Sequence, residues 1–194
     1  MTKLKKLSIE HCFQLSGKGL EHLTKLSCLT ELNVKNSNVL TAAGIAHLAQ
    51  MIELTSLSAG GFCKWNIWCV HDPDNEVPRA LCNMTRMTRL TLDETKISDD
   101  GLAHLEHMTC MTKLSLRNTL ITDGGLVKLG NMKRLEILNV AWTHVTKEGV
   151  LTKLGQTKRF TPLTVIGRTK YISCLTACQY DYKNTEYFRV TLAM

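Results

Sequence analysis

Four thiol and imidazole side chains able to ligate a metal fall in one short stretch, CKWNIWCVHDPDNEVPRALC at residues 63–82: Cys63, Cys69, His71 and Cys82. Their C-x5-C-x-H-x10-C spacing lacks the pairs two to four residues apart that compact zinc sites use, so no metal and no cofactor is expected. Seven histidines are present, but His22, His47, His104 and His107 sit in segments read below as helices, where surface or groove positions are the simplest account. There is no glycine-rich phosphate loop, nucleophile elbow or H-E-x-x-H pair, so the chain reads as not an enzyme. The chemistry left over is that of recognition. Trp65 and Trp68 lie in the same stretch, and tryptophan is enriched at protein–protein hot spots. Lys6, Arg89, Lys113, Arg117 and Trp142 recur at related positions of a repeated pattern.

That pattern is visible in ISDDGLAHLEHMTCMTKLSLRNT (97–119) and ITDGGLVKLGNMKRLEILNVAWT (121–143), which are the same sentence written twice. An L-x-x-L-x-L triplet recurs as Leu4-Leu7-Ile9, Leu29-Leu32-Val34, Leu54-Leu57-Ala59, Met87-Leu90-Leu92, Met111-Leu114-Leu116 and Leu135-Leu138-Val140. Phe160-Leu163-Val165 is a weaker seventh copy. The middle members are 25, 25, 33, 24, 24 and 25 residues apart, so only the third interval carries an insertion, about 63–76. The alternation within each triplet is that of a strand with one buried face.

In the third repeat the slot three residues past the triplet falls at Phe62; past five of the other triplets stands a small polar or thiol residue, Cys12, Ser37, Thr95, Thr119 or Thr143. It is expected to bond the neighbouring turn's backbone and so form a ladder from repeat to repeat. Next, Ser16, Thr41, Ser98, Thr122 and Thr146 each precede a glycine by three residues, which suits a helix N-cap. Asp99, Asp100 and Asp123 would favour the positive helix end. Apolar pairs such as Leu20/Leu23, Ile45/Leu48, Leu102/Leu105 and Leu126/Leu129 share one face of a short helix. The glycines are expected to permit close helix approach.

A strand, a turn, a short helix and a return cannot bury their own apolar sides. Stacked side by side, they can. The motif LTLDETKISDDGLAHL resembles the leucine-rich repeat family, in the cysteine-containing subtype associated with F-box proteins, whose helices start T/S-D-x-G-L. The resemblance covers roughly residues 4–166. It implies an α/β, right-handed solenoid of about seven repeats, each 24–25 residues, with a parallel sheet on the concave face and short helices on the convex one. The domain division that follows is a solenoid over 1–167 and a C-terminal cap or tail over 168–194.

The register also lists the side chains on the inner wall. One column reads Lys6, Glu31, Ser56, Arg89, Lys113, Ile137, Pro162; the next reads Ser8, Asn33, Ser58, Thr91, Ser115, Asn139, Thr164. Arg89, Lys113 and Arg117, with Trp142 one repeat on, form the expected footprint for a peptide or protein. The tryptophan loop could add an anchor or could cover a gap in the helix layer.

The chain's 194 residues are 44% hydrophobic and 21% charged, as in ordinary globular proteins. No apolar run approaches the roughly 20 residues of a membrane span, and MTKLKKLSIEHCFQL holds no signal-like apolar core. The eight cysteines are therefore expected to be reduced, in an intracellular setting, cytoplasmic or nuclear. Of the formal charge of +7, residues 147–194 supply eight basic against three acidic residues. The function expected is a non-enzymatic protein–protein interaction module, an adaptor or substrate-recruiting arm. The alternatives are a ubiquitin-ligase substrate receptor, which the resemblance implies, and nucleic-acid binding through the basic C-terminal quarter. Nucleic acid ranks behind protein as partner because no RNA-binding motif appears, and no membrane is expected. The first triplet starts at Leu4 with no polar cap ahead of it. That end is expected to be covered by another protein or domain, or to belong to a larger chain.

Overall fold

Each apolar triplet becomes a strand of one continuous sheet. The structure is a computed structural model, and it describes residues 3–37, 39, 41–61, 76–155, 162–168 and 187–192. The strands are β1 (Lys6–Ser8), β2 (Glu31–Asn33), β3 (Ser56–Ser58), β4 (Arg89–Thr91), β5 (Lys113–Ser115), β6 (Ile137–Ala141), β7 (Leu163–Arg168) and β8 (Tyr187–Leu192). They lie side by side in chain order. β1 to β7 are parallel, and β8 turns back antiparallel to β7 with Leu163 opposite Leu192. Leu7, Leu32, Leu57, Leu90, Leu114, Leu138 and Val165 stand in register across seven strands.

The return path of each repeat carries a short helix. These are 3₁₀ at Gly17–Lys25, α1 (Ala42–Gln50), α2 (Glu76–Leu81), α3 (Asp99–His104), 3₁₀ at Gly125–Asn131, and α4 (Lys147–Gly149) running into one π turn at Val150–Leu154. Helices this short are not stable alone. They persist because one face is buried against the strands: Leu20, Leu48, Leu81, Leu105, Leu129 and Leu154 are fully covered. Leu92, Leu116 and Val140 belong to the same cluster, so a single hydrophobic spine runs through the repeats. The first repeat is the exception. Leu4 is exposed and Leu7 half-buried, where Leu29 and Leu32 one repeat later are buried.

The seventh register differs from the sequence expectation. Leu138 pairs with Val165 rather than Leu163, and Asn139 with Ile166 rather than Thr164. A slip of two residues keeps every side chain on its face, so alternation could not distinguish the two. Both Leu163 and Val165 remain buried. Phe160 lies outside the described residues.

The hydroxyl ladder is also displaced. Thr95, Thr119 and Thr143 donate to carbonyls of their own repeats, at Leu92, Leu116 and Val140, over 2.6–2.8 Å. Only Ser37 reaches the preceding repeat, at Ile9 O, and Cys12 is exposed. The reason is that the turn's backbone is already occupied. The N–H groups of His11, Asn36, Gly61, Glu94 and Asn118 each donate to the next repeat's carbonyl. Five turn residues, His11, Asn36, Glu94, Asn118 and Trp142, take left-handed φ values of 55–64° there. That costs a residue with a Cβ about 1 kcal/mol, and the glycine in the equivalent third-repeat position, Gly61, does not adopt it. The ladder that does run between repeats sits ahead of the strands. Thr30, Thr55, Thr88 and Thr112 donate to the carbonyls of Lys5, Thr30, Thr55 and Thr88. The L/M-T-x-L spelling of four successive triplets was its signal.

Candidate functional site

A parallel sheet normally has both faces covered. Here the helices cover one, and the other lines a trough of about 770 Å³ running from Lys6 on β1 to Ile166 on β7. Its floor is the outward column of each strand, with Leu7, Leu32, Leu57, Leu90 and Leu114 just beneath.

The third repeat is the flat part of the floor. Ser56, Ser58 and Gly60 present almost no side chain, so longer residues on β2 and β4 meet across it. Arg89 Nη2 reaches Glu31 at 3.0 Å over Ser56, and Lys6 Nζ reaches the same Glu31 oxygen at 3.0 Å from the other side. Two rows further, Lys35 Nζ lies 3.5 Å from Asp93 across Gly60. A Cβ at Gly60 would overlap the Asp93 backbone, so the bare position is required by packing. The hydrogen bond from Lys6, with the charges of Lys6 and Arg89, holds the Glu31 carboxyl below the ordinary glutamate range against some desolvation.

Asp93 is 6% exposed and accepts from Ser115 Oγ at 2.6 Å and Arg117 N at 3.0 Å, which orders the turn after β4 against β5. Beside it, Glu94 Oε1 accepts from Arg117 Nη1 at 2.6 Å, and Glu94 Oε2 is buried with no hydrogen-bond partner among the described residues.

The sequence-predicted footprint therefore divides. Lys6, Arg89 and Lys113 stand in the trough, in one row across β1, β4 and β5. Arg117 and Trp142 stand past the ends of β5 and β6, at the rim, with Arg117 drawn onto Glu94 and Trp142 half-buried in its turn. Of the four predicted cations, Lys6, Arg89 and Arg117 are in ion pairs, whereas Lys113 is exposed and in none among the described residues. Trp65 and Trp68 lie outside the described residues, as do Cys63, Cys69 and His71 of the metal spacing. Cys82 is half-buried with its thiol toward Asn83, and no group of metal-ligating side chains occurs among the described residues. No helix among them is long and apolar enough to cross a membrane.

Two aliphatic residues shape the trough's far end, Ile137, which the sequence register places on the inner wall, and Ile166, which it does not. Ile137 on β6 and Ile166 on β7 both face into it, and Ile166 is 38% exposed. The two-residue slip of β7 puts Ile166 where a threonine was expected, ending the run of short polar side chains.

A family profile described as leucine-rich repeat matches residues 107–130. A search of curated proteins gave no match. Among solved structures, the chain is similar to an internalin, InlF, from Listeria monocytogenes, with a TM-score of 0.51 and 18% identity over 71% of this chain. It spans about a third of that internalin, 36% of its length. The internalin C2 of the same organism is similar over 77% of this chain and 76% of its own, with 15% identity and a TM-score of 0.46. With the repeat spacing and the sheet, the InlF likeness makes the architecture a leucine-rich repeat solenoid.

Proposed function

We propose that this chain is a non-catalytic binding module that receives another protein on the concave face of its sheet, as an adaptor or substrate-recruiting arm. The observation that carries the reading is the uncovered face itself. Seven parallel strands expose a row of polar and charged side chains that ends in Ile137 and Ile166, and among the described residues no second helix layer covers it as in most such sheets. A rigid wall of this kind suits a protein surface, because its side chains are held by the ion pairs above and lose little freedom on binding.

Thr91 lies in the middle of the trough on β4, half-buried and facing outward. Thr91→Trp should fill the floor without touching the core. Proteins recovered from cell extract on the wild-type chain should be lost on this variant and kept on Lys128→Ala, which removes an exposed cation from the helix layer. Equal recovery on wild type and Thr91→Trp would overturn the assignment of the face.

A further inference from the structure

The trough is not uniform, and its two ends want different chemistry. Among its described lining residues are three cations, Lys6, Arg89 and Lys113, against one carboxylate, Glu31. Glu31 is shared between Lys6 and Arg89, so the excess positive charge falls on the β4–β5 side. Arg89 and Lys113 are register neighbours on adjacent strands, where like charges repel. Arg89 turns away across β3 to Glu31, and Lys113 is left exposed without an acid among the described residues. Immediately beyond, on β6 and β7, the floor changes to the aliphatic side chains of Ile137 and Ile166.

We infer that the trough takes an extended segment of a partner protein in which an acidic residue stands two positions from a large aliphatic or aromatic one. This rests on the concave-face reading and specifies what that face selects. The spacing follows from strand geometry. Neighbouring strands are about 4.8 Å apart, so Ile137 lies roughly 5 Å from Lys113 in the same row, whereas Ile166, which pairs with Asn139, lies roughly 10 Å across the sheet and two residues further along the strands. An extended peptide crossing the strands puts alternate side chains on one face about 6.7 Å apart. A carboxylate over Lys113, within reach of Arg89, therefore sets the side chain two residues on beside Ile137, and a segment crossing the strands obliquely carries it toward Ile166. The carboxylate offsets the Arg89–Lys113 repulsion, and the apolar side chain covers surface the fold leaves wet.

The test is selection of random linear peptides displayed against the full wild-type chain, followed by synthesis of the enriched sequence and titration by fluorescence anisotropy. The expected consensus is Asp or Glu two positions from Leu, Ile, Val or Phe. Lys113→Glu should weaken the synthetic peptide by roughly fivefold or more. Exchanging the peptide's acid for lysine should restore binding to that variant. Lys113→Gln, which adds no repulsion, guards against a folding artefact and should weaken the original peptide to a lesser degree. Enrichment of peptides without an acid, affinity indifferent to both Lys113 variants, or no enrichment at all overturns the inference. Thr91→Trp separates the two readings. If peptides of another composition are enriched and Thr91→Trp abolishes their binding, the acidic–apolar segment falls and the concave-face assignment stands. If enriched peptides bind Thr91→Trp as well as wild type, both fall.

Discussion

A carboxylate clamp joins one repeat's helix cap to the next in this solenoid, and breaking it has a calculable effect. Asp123 was expected to act on the positive end of its own helix. Instead its two oxygens accept from the next repeat's helix cap, Thr146 N at 2.8 Å and Thr146 Oγ1 at 2.8 Å. Asp99 does the same for Thr122, at 2.8 and 2.6 Å. Because the carboxylate takes the hydroxyl proton, the threonine oxygen is left to accept from its helix, at Gly149 N (2.9 Å) and Gly124 N (3.1 Å) respectively. Two hydrogen bonds to a charged acceptor would be worth several kcal/mol if buried; at this exposed site Asp123→Ala should cost about 1.5 kcal/mol, including the weakened cap. For a chain of this size that lowers Tm by about 3–6 °C. Urea unfolding followed by circular dichroism, on Asp123→Ala, Thr146→Ala and the double variant, should give a coupling energy of about 1 kcal/mol. A second consequence is steric. A Cβ at Gly149 would overlap the Asp123 carboxylate, so Gly149→Ala should be destabilising by about 1–3 kcal/mol in wild type and much less so in the Asp123→Ala background. If the Asp123 and Thr146 effects add to within about 0.3 kcal/mol, or if Gly149→Ala costs the same in both backgrounds, the clamp is not what joins these repeats.

Two further outcomes follow from the trough floor. Glu31 titrates below the ordinary glutamate value, so its pairing stabilises the fold above about pH 4.3 and is lost as pH falls through the lower folded-state value. Carboxyl NMR titration should show that depressed midpoint, and Lys6→Ala should raise it more than Arg89→Ala does; an unmoved midpoint in Lys6→Ala would refute the assigned cause. Gly60→Ala should destabilise by about 2–3 kcal/mol, since its Cβ meets the Asp93 backbone, which cannot give way. Gly19→Ala, whose Cβ meets only the tip of the Leu15 side chain at 2.8 Å, should cost little; similar midpoints in urea for the two would refute the contrast.

The periodic part of this protein was legible because its causes are local. An apolar residue at every second strand position, a hydroxyl before each glycine and a near-constant spacing are constraints each repeat satisfies alone, and they placed six strands in register. Thr41 and Thr146 cap their helices as the T-x-x-G spelling implied. What tertiary structure alone decided are the contacts whose partner lies in another repeat. Asp123 and Thr146 are 23 residues apart, and nothing in T-D-G-G says which helix end the acid serves. The footprint's cations were found in sequence, but not that Glu31 would claim Lys6 and Arg89 and leave Lys113 alone, because that needs the flat third repeat between them. The seventh strand's slip and β8's antiparallel return were likewise invisible. A shift of two residues changes no side chain's face, and a strand's direction is set by the edge it meets rather than by its own residues.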